Sequence, residues 1–158
     1  MGTGKSTIGH GLSKRLDWSF IDSDHEVVEA AGLSIPEIFA LHGEEAFRDL
    51  ETETLADLVH HSNRVIATGG GIIQRETNRR LIADNGFVVW LTASQEAILE
   101  RVLRNRNRPL VQTADPAKTV QELLLQRDPL YQSIADLKVD TSLLSPGRIV
   151  SAILRALQ

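Results

Sequence analysis

The first seven residues read MGTGKST, and this stretch limits the possible folds more than any other part of the chain. Its end matches the pattern G-x-x-x-x-G-K-[ST], which follows a buried strand and begins a helix. Apolar Ile8, Leu12 and Leu16 recur at helical spacing, so the helix side of the pattern is present. The first glycine of the pattern would lie before Met1. We therefore expect a chain that starts at an internal Met and lacks the first strand and first glycine of this motif.

The residue types of this stretch suit a chain of phosphate groups. Glycines let backbone N–H groups turn toward a phosphate, and a helix N-terminus adds unpaired N–H groups and a positive dipole end. Lysine supplies a charge for the outer phosphates, and a following hydroxyl can bind Mg²⁺. The predicted nucleotide contacts are Gly2, Thr3, Gly4, Lys5, Ser6 and Thr7, with Ser6 as the metal ligand. A glycine-rich arm that contains Lys-Ser by chance is the alternative.

Size and composition favour one α/β domain. The chain has 158 residues, 42% of them hydrophobic and 24% charged, as is usual for a globular domain. A net charge of −4 argues against nonspecific binding to nucleic acid, and the absence of cysteine excludes disulfides and thiolate metal sites. No apolar run has the length of a membrane span. We expect a cytoplasmic monomer that binds neither nucleic acid nor membrane.

Short apolar runs alternate with helical patterns along the chain, which predicts a three-layer α/β/α fold with a parallel sheet. Ser34 and Glu37 form a capping box that begins a short helix, which Gly43 ends before a longer helix follows. Ligands of such sheets bind at the carboxyl ends of the strands. We expect the P-loop, the segment 22–24 and the glycines 69–71 to face one crevice there.

Two aspartates separated by one residue follow the first visible strand. Asp22 suits a water-mediated contact with Mg²⁺ that supports Ser6. Asp24 suits a group that accepts a proton from a substrate hydroxyl or orients it. The alternative for Asp24 is a helix N-cap.

The chain resembles the shikimate kinases from Gly2 to its final helix. The resemblance depends on weak motifs that occur together and in order: GKST, Asp22-Ser23-Asp24, Gly43-Glu44 with Phe47-Arg48 and Glu51, Gly69-Gly70-Gly71, Arg108-Pro109-Leu110, Arg127 with Pro129-Leu130-Tyr131, and Ser145-Pro146-Gly147. It implies a nucleoside monophosphate kinase-like P-loop fold with a substrate-binding segment at about 24–61 and a lid at about 104–117. It also implies Mg²⁺-dependent transfer of the γ-phosphate of ATP to the 3-hydroxyl of shikimate, on the route to chorismate and the aromatic amino acids.

The resemblance assigns Arg48 and Arg127 to the shikimate carboxylate, which a guanidinium fork matches with two hydrogen bonds. A surface salt bridge is the alternative for either arginine, and Glu51 lies three residues after Arg48 on a predicted helix. The two roles of Arg48 are compatible, because Glu51 can hold it in place. The resemblance also places the substrate-binding glycines Gly69, Gly70 and Gly71 against shikimate and near the γ-phosphate.

Four arginines form a basic run at positions 101, 104, 106 and 108. No aromatic residue lies within it to stack on bases, which argues against nucleic-acid binding. By resemblance, Arg108 reaches the ATP phosphates from the lid, and Arg101 and Pro146 enclose adenine. Arg104 and Arg106 receive no role.

The predicted catalytic residues are Asp24, Lys5 and Arg108. Two other functions stay open at this point. Another small-molecule kinase of the same fold, such as a gluconate kinase, is one. A truncated nucleotide-binding module without catalytic activity is the other.

Overall fold

The computed structural model describes residues 2–104 and 115–158. Its strands are β1 Ser19–Asp22, β2 Arg64–Ala67, β3 Val89–Thr92 and β4 Leu137–Asp140. Its helices are α1 Lys5–Leu16, α2 Ser23–Ala31, α3 Ile35–Val59, α4 Glu76–Asn85, α5 Gln95–Arg104, α6 Pro116–Gln132 and α7 Pro146–Ala156, with a 3₁₀ helix at Ile72–Gln74. Helices alternate with parallel strands, which confirms the α/β class. No helix in the described ranges is long and apolar enough to cross a membrane.

The chain divides into two compact units, of which one is Gly9–Gly86. Here β1 pairs in parallel with β2, and Asp22 at the end of β1 stands opposite Ala67 at the end of β2. Side chains of α2 and α3 form the core beside them, with Val27, Ile38 and Phe47 buried together. The parallel register brings the segment after β1 and the glycines after β2 to the same edge.

The other unit contains Met1–Ile8 and Phe87–Gln158. Here β3 pairs in parallel with β4, from Val89 opposite Leu137 to Thr92 opposite Asp140. Helices α5 and α6 bury Ile98, Val102 and Val120 against each other. The described strands form two separate parallel pairs, β1 with β2 and β3 with β4. The expectation of a missing first strand is not borne out. The prediction of a single domain stays a prediction.

Helix α3 consists of two helical stretches joined at Gly43, which matches the two helices that the sequence predicted. The capping box is present, since Ser34 N–H donates to Glu37 Oε2 at 2.8 Å and Glu37 N–H donates to Ser34 Oγ at 3.4 Å. Gly43 ends the first of two helical stretches, as predicted. Its φ of 83° and ψ of 173° are non-helical and essentially limited to glycine, and the second helical stretch runs from there to Val59. The boundary is a sharp kink within the range Ile35–Val59.

Candidate active site

The glycine segment after β2 lies directly against Asp24. Gly69 N–H donates to the hydroxyl of buried Ser23 at 3.2 Å, which fixes the segment to the start of α2. A Cβ at Gly69 would lie 3.3 Å from Asp24 Oδ2 and closer still to Oδ1. Only a residue without a side chain fits between the backbone and this carboxylate. The structure thus brings together two of the predicted site segments.

The guanidinium of Arg48 lies against Gly71, as the carboxylate of Asp24 lies against Gly69. A Cβ at Gly71 would lie 2.6 Å from Arg48 Nη1 and 2.8 Å from Nη2. The guanidinium donates to Glu51 Oε2 at 3.0 Å and to Glu44 Oε1 at 3.1 Å. It also lies 5.2 Å from the centre of the Phe47 ring. The predicted salt bridge to Glu51 is therefore present, and the guanidinium borders the glycine segment.

Glu51 is a buried acid, with 2% of its surface exposed. Loss of hydration on burial raises its pKa above the usual 4.5, and the negative charge of Asp24 adds to this. The positive charge and hydrogen bond of Arg48 act in the opposite direction. Loss of Arg48 would thus leave the buried Glu51 without its ion-pair partner, whereas loss of Glu51 would leave Arg48 paired with Glu44.

Asp22, rather than Asp24, caps helix α2. Its Oδ1 accepts a hydrogen bond from Asp24 N–H at 3.1 Å, and its backbone is extended. This interaction uses one oxygen of Asp22. In the ranges that the structure describes, no cluster of three or more His, Cys, Asp or Glu side chains could hold a metal ion. A site for Mg²⁺ would thus use a hydroxyl, one carboxylate and substrate phosphates, which suits an ion that keeps several waters.

The phosphate loop has the backbone that its glycines predict. Gly2 and Gly4 have φ of 68° and 86°, in the left-handed region. Ile8 N–H donates to Gly4 O at 3.0 Å, so helix α1 begins at Lys5 with its amino end at the loop. Thr3 is buried, whereas Ser6 and Thr7 are exposed. The geometry matches an anion-binding helix start.

Arg101 holds the beginning of this loop. Its Nη1 donates to Gly2 O and to Thr141 Oγ1, both at 3.1 Å, and its Nη2 donates to Thr141 O at 2.8 Å. Pro146 is the first residue of α7 and is exposed. Thr141 was not predicted as a site residue. Its position directly after the last strand, at the carboxyl edge where ligands bind, is the sequence feature that could have indicated it.

Arg127 lies on α6, and its Nε is buried without a hydrogen-bond partner in residues 2–104 and 115–158. A buried guanidinium donor that no described residue uses suits a contact with a ligand. Arg106 and Arg108 lie outside the described residues, as does most of the predicted lid, and of Arg104 the structure describes the backbone alone. The predicted contact of Arg108 with the ATP phosphates is therefore untested, and Arg104 and Arg106 still have no assigned role.

Helix α4 supplies two further residues that the sequence analysis missed. Buried Asn78 donates to Ile72 O at 3.1 Å, and Arg79 donates to Ile73 O at 2.8 Å and to Gln74 O at 2.9 Å. Both therefore hold the 3₁₀ helix that follows Gly71. The four residues between Gly71 and α4 gave no signal for this turn, because they lack a capping pattern.

Comparison with known proteins matches all of the chain. A family model described as Shikimate kinase covers residues 1–158. The shikimate kinase of Dechloromonas aromatica is 46% identical over 155 residues, which are 98% of this chain and 85% of that protein. The shikimate kinase of Bordetella avium is 42% identical over 158 residues, 100% of this chain and 76% of that protein.

Solved structures agree. Shikimate kinase from Acinetobacter baumannii in complex with shikimate superposes with a TM-score of 0.94 at 39% identity, covering 99% of this chain and 88% of that one. A gluconokinase from Sinorhizobium meliloti reaches a TM-score of 0.64 at 17% identity, so it shares the fold alone. The phosphate loop and the fold define an ATP-dependent small-molecule kinase of the P-loop class. The chain belongs to the shikimate kinase family.

Proposed function

We propose that this chain transfers the γ-phosphate of ATP to the 3-hydroxyl of shikimate, giving shikimate 3-phosphate and ADP on the route to chorismate. The observation that carries the proposal is the placement of Asp24 and Arg48 against Gly69 and Gly71. A proton acceptor and a carboxylate-binding fork there border one stretch of glycine backbone. An acceptor with both a hydroxyl and a carboxylate suits this pair, and the Acinetobacter baumannii relative binds shikimate.

On the acceptor side, Asp24 orients the 3-hydroxyl and takes its proton as the phosphoryl group arrives. Arg48 and Arg127 bind the carboxylate of shikimate, and Gly69, Gly70 and Gly71 offer backbone to the ring. The unused Nε of Arg127 supports its role, because a buried donor without a partner is costly unless a ligand fills it. The substrate-binding segment is about 24–61.

On the donor side, Gly2 to Thr7 surround the phosphates, and Lys5 and Arg108 offset the charge that shifts during transfer. Arg101 and Pro146 contact adenine, and the lid at about 104–117 excludes water. Ser6 and, through water, Asp22 would hold Mg²⁺, which supplies further compensation of phosphate charge. The second carboxylate oxygen of Asp22 and the exposed hydroxyl of Ser6 are oxygen ligands, the type that Mg²⁺ prefers.

The test is an assay of ADP release with three acceptors: shikimate, gluconate, and shikimate with its carboxylate replaced by an amide. We expect turnover with shikimate, little with the amide and none with gluconate. Equal rates with gluconate would favour the rival kinase. Nucleotide binding without turnover of any acceptor would favour the non-catalytic module. We also propose a cytoplasmic monomer, which light scattering of the purified protein tests for oligomeric state.

A further inference from the structure

Thr141 is a buried polar residue to which the reaction above gives no role. It follows β4 directly and has 2% of its surface exposed. Its N–H donates to Thr92 O at 2.8 Å, which extends the pairing of β3 with β4 by one bond. Its backbone is therefore held by the strand pair, while its side-chain hydroxyl and its carbonyl oxygen face a guanidinium.

That guanidinium belongs to Arg101, which uses both terminal nitrogens on this side. Nη2 donates to Thr141 O, and the two N–H groups of Nη1 serve Thr141 Oγ1 and Gly2 O. A guanidinium carries its donors in a rigid plane, so two bonds to one residue fix its orientation. The third bond then fixes the carbonyl of Gly2 relative to the end of β4.

Gly2 is packed more closely than Gly4, the other glycine of the phosphate loop. A Cβ at Gly2 would lie 3.3 Å from Val102 Cγ2 and 3.4 Å from Ile98 O, so the loop already lies against α5. Its positive φ turns the backbone into the loop. A small rotation of the Gly2 carbonyl would move the following N–H groups, which are the ones that bind phosphate.

We propose that Thr141 is a positioning residue of the nucleotide site: through Arg101 it fixes the carbonyl of Gly2 and with it the start of the phosphate loop. The inference rests on the proposed binding of ATP phosphates by residues 2–7. It extends the role of Arg101, which the family resemblance limits to a contact with adenine. It also predicts that a change at Thr141 alters nucleotide binding through Arg101 and the phosphate loop.

The test compares Thr141→Val, which keeps the shape and removes the hydroxyl, with Thr141→Ser, which keeps the hydroxyl. Loss of one hydrogen bond to a charged group should raise the KM for ATP and the Kd for ADP about tenfold in the valine variant. The KM for shikimate should stay unchanged, and serine should restore nucleotide binding. Thr92→Val is the matched control, since its hydroxyl contacts Val139 O on the same strand pair at 3.4 Å and does not contact Arg101.

A merely structural role predicts another result. In that case Thr141→Val weakens ATP and shikimate alike or leaves ADP binding unchanged, and either result overturns the proposal. A lower melting temperature is expected in both cases, because the variant loses a buried hydrogen bond. Thr141→Ala gives a second variant without the hydroxyl if valine prevents folding. The ADP titration needs no shikimate. Tight ADP binding by the parent protein without any turnover would contradict the proposed function and still leave the effect at Thr141 measurable.

Discussion

Arg48 and Arg101 are both held in place by the protein, but by opposite kinds of partner. Arg48 donates to the carboxylates of Glu44 and Glu51, whereas Arg101 donates to two carbonyl oxygens and a hydroxyl. Arg48 therefore has its charge largely balanced before any ligand binds. Arg101 keeps its positive charge, which lowers the pKa of Asp140 as a minor contribution behind the hydrogen bonds from Ser142.

This difference in charge balance matches the proposed ligand of each arginine. Shikimate carries a single carboxylate, and an arginine already paired with acids can bind it in an orientation that its protein partners fix. A nucleotide carries several negative charges, so an unbalanced guanidinium beside the phosphate loop favours its approach. The comparison also predicts different responses to mutation and pH, because carboxylate partners titrate and uncharged oxygens do not.

The largest effect is expected on turnover, when Asp24 loses its basicity and nucleotide binding is left intact. Asp24→Asn keeps the shape and removes the basicity of the group that lies on Gly69. Turnover should fall about 10²–10⁴-fold, the usual contribution of a general base. The Kd for ADP should remain near that of the parent protein. Near-parental turnover of the asparagine variant in the coupled ADP assay would show that Asp24 is not the base.

Next in size is the loss of Arg48 itself. Arg48→Ala should weaken shikimate about ten- to a hundredfold, because hydrogen bonds between charged groups contribute roughly 1.5–3 kcal/mol. It should also lower stability, since it leaves the buried Glu51 unpaired. Urea denaturation and the KM for shikimate measure the two effects.

Arg80→Ala is the control for this experiment. Arg80 pairs with Glu76 one turn away, and 75% and 65% of the two side chains are exposed. An exposed pair of this kind contributes at most about 0.5 kcal/mol. If Arg80→Ala destabilised the protein as much as Arg48→Ala, burial of Glu51 would not explain the loss.

A smaller effect is expected when Arg48 is displaced rather than removed. In Gly71→Ala the new methyl group would lie 2.6 Å from Nη1, so the guanidinium must shift. We expect the KM for shikimate to rise about tenfold, the equivalent of roughly 1.4 kcal/mol. Gly86→Ala is matched to it, because no described atom lies within 4 Å of a Cβ there. Similar KM values for the two variants would mean that Arg48 does not bind shikimate over Gly71.

The sequence predicted the parts of this molecule that depend on near neighbours. Helix α1 and the Ser34 and Glu37 capping box follow from residues within one or two turns. The roles that needed distant partners were missed. Ser23 meets Gly69 across 46 positions and Arg101 meets Thr141 across 40, and no local pattern encodes either contact. The choice of Asp22 over Asp24 as the cap also depended on backbone angles, because both residue types suit that position.

The smallest expected effect tests whether the partner of Arg48 titrates. The pKa of Glu51 is raised in the folded protein, so its carboxyl binds a proton more tightly folded than unfolded. Its contribution to stability is then fully present below the usual 4.5 and is lost as the pH rises through the folded pKa. The parent protein should therefore lose stability relative to Glu51→Gln over that window, with a slope of at most about 1.4 kcal/mol per pH unit.

Glu37→Gln is a control of opposite sign, because hydrogen bonds from Ser34 lower the pKa of Glu37 and its contribution is lost as the pH falls. Denaturant unfolding of the three proteins at pH values below and above 4.5 measures both slopes, because Glu37 titrates below that value and Glu51 above it. A flat difference for Glu51→Gln would mean that Arg48 cancels the effect of burial.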